Sequence, residues 1–331
     1  MRPKLPKMSL HTDARIYSAL RIVFGLLSFW CFASCIPFAR EFFSNEGWLP
    51  PQVGILTENQ RTWSLLYLFN TAGYATFAVF LSLFFTVTMT IGLYSRTSTW
   101  IVLAFAASFS VRNHFVFSGE DCILRNVLFL VAFSRCGDAW SLDRWLAKRR
   151  YGAPVAEFTP LAPAWPLRLL QIQVCLVYFT SGLAKQRGTD WLTGIATLRA
   201  LLNPTVSRWS YDFLVAQAWL FKSAFFQFAE QITLYWELLF PFLMLQRHLR
   251  NAAVAFGVVA HLSIFVLFQV HFFSFAMCGT YLTLAPRGWI PVIDKWMGKI
   301  EASFDGLFVE LSEPVDTVRR SLAEPPVKEA A

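Results

Sequence analysis

The sequence predicts an all-α fold, a polytopic transmembrane helix bundle of about eight spans with interfacial amphipathic helices. Of the 331 residues, 56% are hydrophobic and 15% are charged, whereas soluble chains carry about 25% charged residues. The apolar residues cluster into runs that approach the roughly 20 residues a helix needs to cross hydrocarbon. Thirteen Trp and 34 Phe residues suit aromatic belts at the two membrane surfaces.

The apolar runs place each span in turn. The predicted spans are 17–39, 74–94, 99–111, 123–133, 167–183, 232–245, 252–270 and 273–284. Between the fourth and fifth spans, Ser141 opens a short helix that the basic run 148–150 ends. Pro160, Pro163 and Pro166 prevent a helix just before the fifth span. The mixed aromatic and polar segment 185–228 predicts amphipathic helices that lie on the membrane surface.

Charge sets the orientation and the domain organisation. Lys and Arg concentrate in the N-terminal segment, in alternate loops and in the C-terminal tail, which predicts that both ends are cytoplasmic. We therefore divide the chain into a cytoplasmic segment 1–13, a transmembrane domain 14–286 and a polar tail 287–331 whose end is disordered. The net charge of +8 is a topology signal, and the predicted partner is the lipid bilayer rather than nucleic acid.

The sequence lacks the motifs of several common kinds of active site. There is no nucleotide-binding loop, no Ser or Cys triad and no metal-type spacing, so no metal is expected. The six Cys residues form no C-x-x-C pair. Cys31 and Cys35 lie four residues apart, and we expect them to pack as small apolar groups rather than to form a disulfide.

Ionisable side chains inside predicted spans are costly and are therefore functional candidates. Lys185 closes the fifth span, and either extends to the headgroups or acts as a base in a poorly solvated cavity. His261 lies roughly 15 Å along the seventh span, where it either hydrogen-bonds between helices or relays protons. Glu237 must be protonated, paired or hydrated. Pro241, four residues later, frees the Glu237 carbonyl and predicts a kink.

Three other polar positions lie nearer the predicted outer surface. Glu230 lies seven residues before Glu237 and on the same helix face. For each of these two carboxylates, one interpretation is an ion pair with a residue of a neighbouring helix. His114 and Arg112 end the third span, where both can be simple loop residues. His271 lies near the outer end of the seventh span and is expected at the interface.

Several motifs, in order, resemble the membrane domain of vitamin K-dependent gamma-glutamyl carboxylase, which defines the HTTM family. They are Leu-Arg-Ile-Val-Phe-Gly at 20–25, Ser-Leu-Asp at 141–143, Tyr-Phe-Thr-Ser-Gly-Leu-Ala-Lys at 178–185 and Asp-Trp-Leu-Thr-Gly at 190–194. The resemblance covers about 14–286. Because the family is found in many bacteria, a multi-pass protein of a bacterial cell membrane is expected rather than one of the endoplasmic reticulum.

The resemblance implies roles for particular residues. Lys185 matches the lysine proposed to deprotonate vitamin K hydroquinone, and His114, which follows Asn113, matches the histidine proposed to assist it. His261 matches a histidine of the later span, so these three are the expected catalytic residues. The expected substrate-binding residues are Glu237, Trp191 and His271.

The resemblance also implies a reaction. Lys185 takes a proton from a reduced vitamin K or a related membrane quinol, and oxygen converts the quinol to an epoxide through a strongly basic alkoxide. That base removes a proton from glutamate, and the carbanion captures carbon dioxide. In the carboxylase, a large soluble region follows the membrane domain and captures a propeptide. The tail 287–331 is much shorter than that region. The expected acceptor is therefore a small peptide or another small molecule.

A second hypothesis stays open at this stage. The chain can keep the fold without the chemistry and serve as a non-enzymatic membrane transport or maturation partner. An arrangement of Lys185, His114 and His261 around one cavity would favour the enzyme.

Overall fold

The computed structural model describes residues 10–49, 63–151 and 161–305. The fold is all-α, as the composition predicts. The chain forms two compact units, 1–285 and 286–331. In the second unit, a 3-10 turn over Arg287–Trp289 precedes a helical stretch over 290–305. The predicted disordered end of the tail lies outside the described residues.

The first unit contains the helices of the bundle. The N-terminal part contains α1 (Ala14–Ser34), α2 (Ala39–Phe43), α3 (Ala72–Ile91), α4 (Ser95–Arg112), α5 (Gly119–Ala132) and α6 (Leu142–Tyr151). The C-terminal part contains α7 (Trp165–Gln186), α8 (Thr189–Thr193), α9 (Ala196–Leu201), α10 (Tyr211–Ala216), α11 (Ala218–Phe221), α12 (Ala224–Leu243), α13 (Arg247–Leu267) and α14 (Phe273–Thr280). Short 3-10 turns cover Ile36–Phe38, Leu65–Tyr67 and Tyr281–Thr283.

Four stretches of the described residues are long and apolar enough to cross a membrane, by length and composition. They are Ala14–Phe43, which joins α1 to α2, together with α3, α7 and α13. The chain is therefore a membrane protein with several candidate crossings. The count of about eight spans stays a prediction. The segment between α7 and α12 forms the short helices α8 to α11, and their position at the membrane surface also stays a prediction.

Helix ends follow the local capping chemistry. Asp13 accepts a hydrogen bond from the Arg15 backbone N–H at the start of α1, and Ser118 and Asp121 form a capping box at α5. Pro166 lies in the first turn of α7, where a missing N–H costs nothing. Pro241 lies inside α12, which continues to Leu243.

A small antiparallel ladder has no counterpart among the elements predicted from the sequence. Strand β1 (His11–Asp13) pairs with β2 (Leu161–Pro163), with Thr12 opposite Ala162. Each strand has three residues, which is too short for an alternating pattern to be recognised. The ladder joins the start of α1 to the start of α7. As predicted, no helix forms over 161–164 before α7, whereas Pro160 lies outside the described residues.

The bundle has two groups of packed helices. In the first, α1 packs on α3, α3 on α4, and α4 on α5. In the second, α7 packs closely along α12, and α13 packs on α14. The six cysteines are free thiols, so Cys31 and Cys35 are buried apolar groups as expected. The second group carries the polar site described next.

Candidate functional site

A glycine sets the close approach of α7 and α12. A Cβ added to Gly182 would lie 2.9 Å from Cγ of Leu238 and 3.0 Å from its backbone nitrogen. No larger residue fits there without moving one helix. Lys185 lies one turn after Gly182, and Glu237 precedes Leu238. The contact at Gly182 therefore brings the two charged side chains together.

Lys185 and Glu237 form an ion pair between the helices. Nζ of Lys185 donates to Oε1 of Glu237 at 2.5 Å. The side chains are 22% and 9% exposed, respectively. Oε2 of Glu237 is buried and has no hydrogen-bond partner. Of the open interpretations of Glu237, the structure supports the ion pair, and this pair retains an unused acceptor.

Trp191 covers the ammonium group of Lys185. Nζ lies 4.5 Å from the centroid of the Trp191 ring, within the range of a cation–π interaction. The Gln231 side chain, from α12, donates to the carbonyls of Trp191 and Leu192 at 2.7 and 3.1 Å. Helix α8 is thereby held over the ion pair. Two of the residues expected to bind substrate, Glu237 and Trp191, both contact Lys185.

Glu230 has a different partner. Its carboxylate accepts from the backbone nitrogens of Ala196 and Thr197 at 3.0 and 2.7 Å. This carboxylate therefore caps the N-terminus of α9. The ion pair considered for Glu230 from the sequence is not what the structure shows, because the unsatisfied N–H groups at a helix start also attract a carboxylate.

A buried hydrogen-bonded triad lies in the same group of helices. The hydroxyl of Tyr178, from α7, contacts Nε2 of His261 at 2.8 Å and also hydrogen-bonds to the hydroxyl of Tyr281. His261 is 4% exposed, and its Nδ1 is buried without a partner. His261 is therefore hydrogen-bonded between helices, one of its ring nitrogens has no partner, and its role as a proton relay stays a prediction.

The ion pair and the triad are neighbours. Tyr178 lies seven residues before Lys185, on the same face of α7. Its ring packs 4.7 Å from Trp236 and 4.4 Å from Phe240, the aromatic residues on either side of Glu237. The result is one polar layer among aromatic rings.

Gly257 makes room for the triad, and its replacement gives a stability prediction. A Cβ at Gly257 would lie 2.1 Å from the Tyr281 hydroxyl and 2.9 Å from the Trp236 ring. We expect Gly257→Ala to lower stability by about 1–3 kcal/mol, since overpacking a filled interior forces side chains to move. The measurement is the thermal unfolding midpoint in detergent. The matched control is Gly73→Ala, where an added Cβ meets nothing within 4 Å; an equal effect there would contradict the packing argument.

His114 does not join this layer through contacts with Lys185. It follows Asn113, whose side-chain amide donates to the Phe42 carbonyl at 3.2 Å, and its ring lies 4.0 Å from the Phe115 ring. Within the described part of the chain, Lys185 contacts Glu237 and Trp191 instead. The expected meeting of His114 with Lys185 is therefore not seen, and its assisting role stays a prediction.

Arg112, predicted as a loop residue, is instead fully buried in the last turn of α4. It donates to the carbonyls of Ser44 and Leu49 at 2.5 and 2.8 Å. These bonds attach the segment after α2 to α4. The prediction of a loop residue was wrong because the long guanidinium side chain reaches carbonyls that are distant in sequence.

His271 lies at a separate cavity. Its side chain is 78% exposed, and Nδ1 lies 3.5 Å from Glu120. The cavity has a volume of about 720 Å³ and is also lined by Trp30, Asn113 and Asp121. His271 has a backbone φ of +38°, a left-handed conformation at a turn. It is exposed, its position at the membrane interface stays a prediction, and it does not line the layer that holds Glu237 and Trp191.

Two members of the layer had no role in the sequence-based prediction. Tyr178 was part of a motif, and its spacing of seven residues from Lys185 could have placed both on one helix face. Tyr281 offered no signal of this kind, because its contact with Tyr178 depends on packing between distant segments.

A family comparison identifies the domain that contains this layer. The model of the HTTM domain matches residues 11–289, which is most of the chain and contains every residue of the layer. The chain belongs to the HTTM family. The HTTM domain is the one found in vitamin K-dependent carboxylase, so this HTTM protein is a membrane protein of the carboxylase-like family. No curated protein and no solved structure matches it.

Proposed function

We propose that this HTTM protein is a quinol-dependent membrane enzyme, a carboxylase-like lyase in which Lys185 and Glu237 together remove a proton from a reduced quinone. One observation carries the proposal. The Lys185–Glu237 pair lies among apolar helices, and Oε2 of Glu237 is buried without a hydrogen-bond partner. A buried polar atom with no partner is costly, and its cost falls when a ligand donates a hydrogen bond to it.

The chemistry of the layer fits a reduced quinone. The ligand must be apolar enough to reach the site from the bilayer, flat enough to lie among aromatic rings, and able to donate a hydroxyl proton. When bound, reduced vitamin K or a related quinol would supply that hydroxyl and, with oxygen as oxidant, the strong base that carboxylation with carbon dioxide requires. Trp191 offers a ring face beside the Lys185 ammonium.

In this proposal Glu237 and Lys185 have different roles. Oε2 of Glu237 accepts the hydrogen bond from the hydroxyl and receives its proton. The Lys185 ammonium, held under Trp191, stabilises the oxyanion that develops as the proton leaves. The proton then returns from Glu237 to solvent by way of the Lys185 side chain, which is partly exposed. Removing a proton with a positioned base of this kind typically accelerates a reaction by about 10²–10⁴-fold.

The hydrogen-bonded triad holds His261 in a fixed orientation within the layer. The Tyr178 hydroxyl links His261 to Tyr281, which fixes the ring of His261. Its free Nδ1 gives the site a second acceptor or donor for the oxidised product. His261 is therefore the second catalytic residue in this proposal. His114 and His271 take no part in proton removal in this proposal.

The proposed acceptor is a glutamyl group on a small peptide or another small molecule. The proposed location is a bacterial cell membrane, as the distribution of the family suggests. Both follow from the resemblance and from the site chemistry.

The experiment is reconstitution. The purified chain in lipid nanodiscs receives vitamin K hydroquinone, oxygen, labelled bicarbonate and a glutamate-containing peptide, and the quinone epoxide is measured. We expect epoxide above the level of a Lys185→Ala variant, whereas Lys222→Ala, which removes an exposed lysine, keeps the full rate. Epoxide no higher than with Lys185→Ala would reject the proposal and favour a non-enzymatic transport or maturation partner.

A further inference from the structure

A second cavity opens at the other end of α7 from Lys185. It has a volume of about 570 Å³, within the range of ligand sites. We call it the α7–α12 groove, and its lining residues are Arg168, Gln171, Ile172, Cys175, Leu176, Phe179, Pro241, Phe242, Met244, Leu245, Arg250 and Leu284. None of the functional residues described above lines it.

The groove is polar at one end and apolar along its length. Arg168, Gln171 and Arg250 form the polar end, and the remaining lining is almost entirely apolar. From Arg168 to Phe179, α7 rises roughly 16 Å, about half the thickness of the hydrocarbon core. The charge distribution predicts that the Arg250 end faces the cytoplasm. These dimensions match one lipid leaflet, with a head group at the arginines and an acyl chain along α7.

The position of Arg250 is electrostatically unfavourable unless an anion lies beside it. It lies in the first turn of α13, where the cap residue Gln246 makes no side-chain bond and no acidic residue is present. The start of a helix carries unsatisfied N–H groups and partial positive charge. Nε of Arg250 is buried and has no hydrogen-bond partner. Among the described residues, those that line the groove include no Asp or Glu, so the lining supplies no carboxylate to Arg250.

We infer that the α7–α12 groove binds an anionic phospholipid. The phosphate lies against Arg250, with Arg168 adding positive charge, and an acyl chain lies along Ile172, Leu176 and Phe179. Basic pockets between membrane helices favour anionic head groups, and each arginine contributes about 1 kcal/mol near the membrane surface. The site is separate from the proposed proton removal, because its lining includes neither Lys185 nor Glu237 nor a member of the triad.

The test is lipid binding to the full chain in detergent, measured by native mass spectrometry. Dioleoylphosphatidylglycerol is compared with dioleoylphosphatidylcholine, which has the same chains and no net charge. We expect the anionic lipid to bind more tightly, and Arg250→Gln to weaken it about fivefold and to reduce its advantage over phosphatidylcholine. Arg250→Lys keeps most of the affinity. Ile172→Trp fills the apolar part and weakens both lipids.

Matched controls distinguish binding in the groove from a general attraction of anionic lipid to basic residues. Arg187→Gln makes the same charge change at the other end of α7, at an exposed side chain, and leaves the affinity unchanged. An equal loss with Arg187→Gln would mean non-specific lipid attraction and would overturn the inference. Glycerol 3-phosphate binding as tightly as the lipid, or vitamin K quinone displacing the lipid, would overturn it as well. Thermal midpoints of the variants confirm that each one is folded.

Discussion

Glu237→Gln is expected to lower the rate of quinol epoxidation by about 10²–10⁴-fold, the contribution of a positioned base. Glutamine has nearly the same shape as glutamate, and its amide oxygen can still accept from Lys185. It cannot receive a proton at the position of the free Oε2. The measurement is the initial rate of epoxide formation in nanodiscs, at saturating vitamin K hydroquinone and equal amounts of folded protein.

The matched control for this prediction is Glu230→Gln. Glu230 lies on the same helix, seven residues earlier, and caps α9 instead of contacting Lys185. We expect its replacement to affect stability more than the rate. If Glu230→Gln lowers the rate as much as Glu237→Gln does, then the loss of either carboxylate on α12 impairs the enzyme. The assignment of Glu237 as the base would then fail.

Exchanging the two charges tests whether the pair is only structural. The double variant Lys185→Glu with Glu237→Lys keeps an ion pair between α7 and α12, so it is expected to be more stable than either single variant. The exchange places the ammonium where the carboxylate acceptor stood, so the epoxidation rate stays low. Recovery of the rate would mean that the ion pair serves packing and that another group removes the proton.

The helices of the layer were predictable because each depends on a local pattern. Apolar runs place α7, α12 and α13, and the functional candidates Lys185, Glu237 and His261 were found because ionisable groups in such runs are rare. An ion pair at Glu237 was one of several interpretations, and its partner was not predicted. The choice between them depends on Gly182, where α7 and α12 touch, and no pattern along one helix reveals which helix lies opposite.

Other parts of the site required the structure. The hydroxyls of Tyr178 and Tyr281 meet across 103 residues of sequence, and aromatic residues are too common in this chain to mark that pair. His271 was expected to bind substrate together with Glu237, but it contacts Glu120 instead. Turns and loops set such positions, and periodicity says little about them.

Arg21 gives the largest expected stability effect. It is fully buried in α1, and its guanidinium donates to the carbonyls of Met89 and Trp140 at 2.9 and 2.5 Å. The first carbonyl belongs to the last turn of α3, where a cation is favoured. Gly92 ends that helix with φ of +79°, and a Cβ there would lie 2.1 Å from Arg21. One side chain thus joins α1, α3 and the segment before α6.

We expect Arg21→Met to lower stability by about 3–5 kcal/mol, because two buried carbonyls lose the charged donor that joins three segments of the chain. The thermal unfolding midpoint in detergent measures the loss. Arg40→Met is the matched control, since its pair with Glu46 is largely exposed and is worth about 0–1 kcal/mol. Equal shifts for the two variants would contradict the argument.

Arg21→Lys separates charge from geometry. Lysine restores the positive charge at the end of α3, but one ammonium group cannot reproduce the fork of a guanidinium that reaches Met89 and Trp140 at once. We therefore expect Arg21→Lys to recover less than half of the stability that Arg21→Met loses. Full recovery would mean that the charge alone holds α1 against the end of α3, and the bond to Trp140 would then contribute nothing measurable.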